Sequence, residues 1–178
     1  MTSSTRWDAA INAALVEARE TLASVAGVLS GPGVRTGHAD VQSRSDIPIG
    51  AVMLGPAGEV LSRGHNEREV NGDPMAHAEV IAMRRACAHR GTWNLSDCTL
   101  VVTLEPCPMC AGAAVMAHVG RIVFGAWDVK LGACGSVWDI PRDPHVGAHP
   151  EVIGGVEEDA CRELLKEFFA AQRSPFTR

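Results

Sequence analysis

At 178 residues, 46% of them hydrophobic, the chain is long enough for one domain with a real core and too short for two comfortable ones. A formal net charge of −5 argues against a protein that coats nucleic acid indiscriminately, while leaving room for a local basic patch that meets one short RNA segment. No window approaches the roughly 18 uninterrupted apolar residues of a membrane span, and Met1 to Asp8 lacks the apolar core of a secretory signal; the expectation is a cytoplasmic protein with no membrane partner.

The first predicted element is a helix over residues 7–29, where Ile11, Leu15, Leu22, Val25 and Leu29 recur at spacings of three, four and seven. Residues 30–46 are rich in Gly, Ser and charge without an apolar period, which predicts a mobile surface loop. Two apolar runs, 47–54 and 60–64, flank Gly55-Pro56-Ala57-Gly58 and predict a hairpin. Residues 76–89 read as a helix. The continuously apolar run 99–104 reads as a strand buried on both faces. A short helix over 108–118 and a strand over 121–126 follow. A last short strand at 152–153 precedes a helix over 156–171, with Leu164, Leu165, Phe168 and Phe169 on its apolar side. This succession predicts an α/β fold: a three-layer α/β/α sandwich with a central mixed sheet of five strands, forming one domain over residues 1–178.

Six cysteines in a chain of this size without a secretory signal are expected to be reduced. Cys87, Cys98, Cys134 and Cys161 have no ligand-like neighbours and read as small buried apolar residues. Cys107 and Cys110 differ. Their spacing puts both on one helix face. Pro108 suits a first helical turn, so Cys107 falls at a helix start, where partial positive charge favours a thiolate. His77 falls at the start of the preceding helix. One imidazole and two thiolates suit zinc, and three protein ligands leave a fourth position open, as in catalytic sites. Glu79 is then free to take a proton from a zinc-activated water and hand it to a substrate. Taken singly, each piece has a plainer reading: a structural or redox Cys-x-x-Cys, a hydrogen-bonded histidine, a solvated carboxylate. For the combination the competing reading is a structural zinc with a fourth protein ligand elsewhere.

His77-Ala78-Glu79 with Pro106-Cys107-Pro108-Met109-Cys110 resembles the zinc-dependent nucleobase deaminase superfamily. The likeness extends to His65-Asn66-Glu67-Arg68-Glu69, Asp73-Pro74-Met75-Ala76, Thr103-Leu104-Glu105, Ala111-Gly112-Ala113, Val123-Phe124-Gly125-Ala126 and Gly132-Ala133-Cys134-Gly135-Ser136. Those segments closely resemble bacterial tRNA adenosine deaminases, and similarity runs from about Ile47 to Arg173. The resemblance implies a cytidine deaminase-like fold. It implies hydrolytic deamination of adenosine to inosine at the wobble position of a tRNA anticodon, with zinc on His77, Cys107 and Cys110 and with Glu79 as the proton shuttle. It implies that Asn66 hydrogen-bonds the flipped base; the plain alternative is a strand-end cap. Asp128 and Lys130 match positions near the RNA strand, or are surface charge alone. Phe168, Phe169 and Arg173 match a terminal helix that closes over the anticodon stem-loop, or in the case of the two phenylalanines are simply core. A homodimer is implied as well.

The chain departs from that family's pattern at Ala117-His118, Val101, Trp127, Ala170 and Gln172, and several of these changes remove positive charge. They bear on RNA contact and leave the chemistry untouched. Two other functions share the motifs: a deaminase of a free base or nucleoside such as guanine or cytosine, and a non-catalytic RNA-binding module that keeps zinc for stability.

Overall fold

The computed structural model describes residues 6–28 and 45–173. Most of the expected loop at 30–46 therefore lies outside the described residues, as does Leu29. The elements in chain order are α1 (Asp8–Val28), β1 (Gly50–Leu54), β2 (Val60–His65), α2 (Arg68–Asn71), α3 (Ala78–Arg90), β3 (Thr99–Leu104), α4 (Pro108–Met116), β4 (Arg121–Ala126), β5 (Glu151–Ile153) and α5 (Glu158–Arg173).

The five strands form one sheet in the order β2-β1-β3-β4-β5. β1 runs antiparallel to β2 and to β3, whereas β3, β4 and β5 are parallel. Because side chains alternate across a strand, β1 and β3 feed two separate cores. Ala51, Met53, Leu100 and Val102 pack on one side with Ala82 and Met83 of α3 and Ala111 and Ala114 of α4. Val52, Leu54 and Val101 pack on the other side with Ile11 and Leu15 of α1 and Leu164 of α5. A sheet with helices over both faces is the three-layer arrangement expected from the apolar runs.

Boundaries moved where non-local bonds decide them. Residues 47–49 lie outside β1, although the Ile49 carbonyl still accepts from the Asn66 N–H (3.0 Å). Asp46 is buried and accepts hydrogen bonds from the backbone N–H of Glu69 (2.8 Å) and Val70 (3.1 Å), so it caps the short α2 from a distance. That tether, with Pro48 breaking the strand pattern, leads the chain past the end of β2 before β1 begins. Leu22 is exposed, so α1 buries a narrower stripe than its sequence suggests.

α1 lies very close to β1. A Cβ built on Gly50 would sit 2.0 Å from the Ala14 carbonyl oxygen and 2.4 Å from the Ala18 nitrogen. Only a residue without a side chain permits that approach. Gly50→Ala should therefore destabilise the protein by about 1–3 kcal/mol through overpacking, read as a fall in the denaturant midpoint. An unchanged midpoint would show that the helix can retreat at no cost.

Candidate active site

The site forms at the carboxyl end of β3, where the sheet changes from antiparallel to parallel pairing. In open α/β sheets ligands gather at such a switch. Cys107 is the N-cap of α4, with extended backbone, and its carbonyl accepts from Ala111 (2.8 Å). Pro108 occupies the first turn. His77 is the N-cap of α3, extended likewise, its carbonyl accepting from Ile81 (3.0 Å). Two helix starts thus face one point.

His77 Nδ1 lies 3.7 Å from Cys107 Sγ and 3.5 Å from Cys110 Sγ. Ligand atoms of the three residues all fall within 4.8 Å of one another, and no other such group occurs among the described residues. With Zn–S near 2.3 Å and Zn–N near 2.0 Å, a tetrahedral angle requires an S···N edge of about 3.5 Å. The spacing and the donor set fit zinc, with no fourth protein donor in the group.

Electrostatics agree with that reading. The Cys107 thiol is brought down to about 4, chiefly by its hydrogen bond with Cys110 and further by His77. Cys110 is raised by the same hydrogen bond and by burial. His77 is raised, first by its hydrogen bond with Cys107. The three side chains share protons that a divalent cation would displace. Glu79, in the first turn of α3, is only 4% exposed. Burial pushes its carboxyl up to about 7, against a lowering by its own backbone N–H.

A cavity of about 420 Å³ opens beside these residues, lined by His77, Glu79 and Cys107 together with Asn66, Asp128, Lys130 and Phe169. Asn66 follows β2. Its Nδ2 donates to the Ile47 carbonyl at 3.3 Å, and its buried Oδ1 has no partner among the described residues. An unpaired buried acceptor is costly, so this oxygen is suited to a ligand donor. Phe168 does not reach the cavity. It is buried, and its ring stands 5.3 Å from that of Phe169 in an edge-to-face contact. Arg173 is exposed in the last turn of α5 and does not line the cavity either.

Sequence reasoning gave no role to Glu105, Arg68 or Leu165. Arg68 and Leu165 line the cavity. Glu105 is 2% exposed and accepts from three backbone N–H groups across a long sequence gap: Asp128 (3.1 Å), Cys134 (2.9 Å) and Ser136 (3.0 Å). It clamps the segment carrying Asp128 and Lys130 against the start of α4. The only signal in the sequence is an acid directly after a largely apolar, buried strand, where burial without partners would be prohibitive. Gly132 makes room for the clamp, since a Cβ there would meet Glu105 Oε2 at 2.2 Å.

In Glu105→Gln the amide can keep its oxygen toward Cys134 and Ser136 and must then turn its NH2 toward Asp128. Amide exchange at Asp128 should quicken roughly 10- to 100-fold, as for loss of a charge-assisted hydrogen bond, while Cys134 and Ser136 keep their protection. Unaltered exchange at Asp128 would remove the clamp.

Comparison with known proteins adds to this geometry. The family model of the cytidine and deoxycytidylate deaminase zinc-binding region matches residues 35–126. A tRNA-specific adenosine deaminase from Bacillus subtilis (strain 168) is 42% identical over 132 residues, which cover 74% of this chain and 81% of that protein. A tRNA(Ile)-lysidine synthase from Deinococcus radiodurans is 51% identical over 130 residues, 73% of this chain, but the chain spans only 22% of that relative's length. A solved structure from work on A-to-I editing by tRNA:A34 deaminases at the wobble position of transfer RNA superposes with a TM-score of 0.71 at 35% identity, covering 87% of this chain and 97% of that one.

Proposed function

The chain belongs to the cytidine and deoxycytidylate deaminase family, and we propose that it hydrolyses adenosine to inosine at the wobble position of a tRNA anticodon. The observation that carries this reading is a buried Glu79 carboxyl beside a cluster of one imidazole and two thiols at a cavity. A purely structural zinc has no use for that carboxylate.

His77, Cys107 and Cys110 would hold zinc, which when bound supplies a Lewis acid able to make water nucleophilic near neutral pH. Glu79 takes the attacking water's proton and delivers it to purine N1. As the C6–N bond breaks, the same carboxyl carries the second proton to the departing amine, so adenosine and water give inosine and ammonia. A group that first accepts and then donates works best with a pKa near the working pH, and burial raises Glu79 to about 7. Asn66 offers an unpaired acceptor and a second amide proton to the edge of the base. Asp128, its Oδ1 already accepting from the backbone N–H of Lys130 and Leu131, presents a carboxylate to a ribose hydroxyl. Lys130 meets phosphate, Phe169 covers the loop from α5, and Arg173 at the end of α5 meets the stem. Phe168 contributes support from the core.

The working unit we propose is a homodimer built on one deaminase domain. Support comes from the face formed by α3, α4 and the loop after α3, where Trp93 and Met116 border an apolar groove of about 530 Å³ lined also by Val80, Met83 and Ala113. Trp93 is 63% and Met116 74% exposed, the kind of apolar surface a subunit interface covers. The same two helices carry His77 and Cys107 at their starts. No described helix is long and apolar enough to cross a membrane. The six free thiols and a tRNA substrate support a cytoplasmic location.

Incubation with an anticodon stem-loop and with free adenosine, guanine and cytosine tests the substrate. Inosine should form in the stem-loop. Turnover of a free base alone would replace this reading with a free-base deaminase.

Glu79→Ala should lower turnover by about 10²- to 10⁴-fold or more with stoichiometric zinc retained. His77→Ala should lose zinc together with activity. Metal analysis and single-turnover assays check both, and full zinc in the His77 variant would exclude it as a ligand.

A further inference from the structure

Trp127 has no part in the chemistry described above, yet it lines the cavity and is 41% exposed. Its ring is firmly seated. The indole meets Phe124 edge-on, with centroids 4.7 Å apart and planes at 89°. Backbone packs against it elsewhere. A Cβ on Gly154 would come within 2.8 Å of Trp127 Cζ2, and Cβ atoms on Gly135 and Gly155 would lie 3.5 and 3.6 Å from Cζ3 and Nε1. Three glycines therefore let backbone approach the ring closely, and the residue still keeps 41% of its surface exposed. The next residue, Asp128, is tied by its N–H to Glu105. The indole is a flat apolar surface fixed in advance, with little ordering entropy left to lose on binding.

The surroundings indicate what covers it. Lys130 and Arg68 line the same cavity, so a phosphodiester chain can pass this ring on its way to Glu79. We propose that Trp127 is a stacking platform for an unpaired nucleobase adjacent to the reacting nucleotide in a single-stranded RNA loop. Every base has a π-face, so the platform adds affinity without reading sequence. Recognition of the reacting base stays with Asn66. The inference rests on the RNA deaminase reading, and its test separates the two.

Anticodon stem-loops are prepared in which the nucleotide on one or the other side of the reacting adenosine is made abasic. For one of the two, kcat/KM of the wild-type protein should fall roughly 5- to 150-fold. Trp127→Ala should fall by a similar factor on the intact stem-loop, and the abasic change should then cost it nothing further, which is the signature of a direct pair. Trp127→Phe keeps a flat ring and should recover most of the loss. Trp127→Leu, apolar but not flat, should behave like alanine and replaces it if the alanine variant fails to fold. Equal abasic penalties with and without the Trp127 ring overturn the platform alone. A wild-type protein inert on every stem-loop overturns the RNA reading and this inference with it.

Discussion

His77 and Cys107 are each the N-cap of a helix, and the meeting of those two helix starts is the constraint on which the site depends. α3 leaves the end of a turn after Asp73 and Pro74, and α4 leaves the end of β3. Both present the positive end of a helix dipole to one point, and first-turn N–H groups already serve the site: that of Cys110 bonds Cys107, and that of Glu79 its own carboxyl. A lowered Cys107 thiol and a buried Glu79 carboxyl are tolerable there because that field partly offsets the cost of burying negative groups. Moving either helix start by one residue would rotate its ligand by about 100° and break the cluster.

The same economy of partial charges governs the cavity wall. Glu105 is buried and accepts from three backbone N–H groups, all in the segment that carries Asp128, with no ion pair to a basic side chain among the described residues. A carboxylate satisfied in this way fixes a loop without adding a cation to the site. The exposed charges at the cavity, Arg68 and Lys130, can meet a polyanion. An acidic chain can therefore meet RNA locally while its overall charge discourages indiscriminate binding.

Much of this was legible in the sequence, for physical reasons. Buried strands β1, β3 and β4 are dominated by apolar residues without an alternating polar face, which is what burial on both faces requires. The grouping of His77, Cys107 and Cys110 was legible because a three-donor cluster demands particular residue types at helical spacing, and Glu79 because it follows His77 by two residues in the same first turn. What the sequence hid depends on contacts far along the chain. α2 has its cap in Asp46, and the loop after β4 has its anchor in Glu105; neither bond leaves a local pattern. Phe168 and Phe169 both read as the apolar side of α5. Consecutive helical residues point about 100° apart, so one enters the core and the other faces the cavity.

Trp127 shows how a departure from a family pattern can be read physically. Ala170 and Gln172 carry no charge on the terminal helix, and Trp127 is an indole where an arginine is frequent in the resembled family. Phosphate attraction is screened by salt and is indifferent to whether bases are paired. Stacking is only weakly screened and requires a base that has left its helix. Replacing a cation by a rigid aromatic ring at the mouth of the cavity therefore exchanges general attraction to nucleic acid for a preference for splayed, single-stranded nucleotides. That exchange suits a site whose reacting atom is reachable only on such a nucleotide.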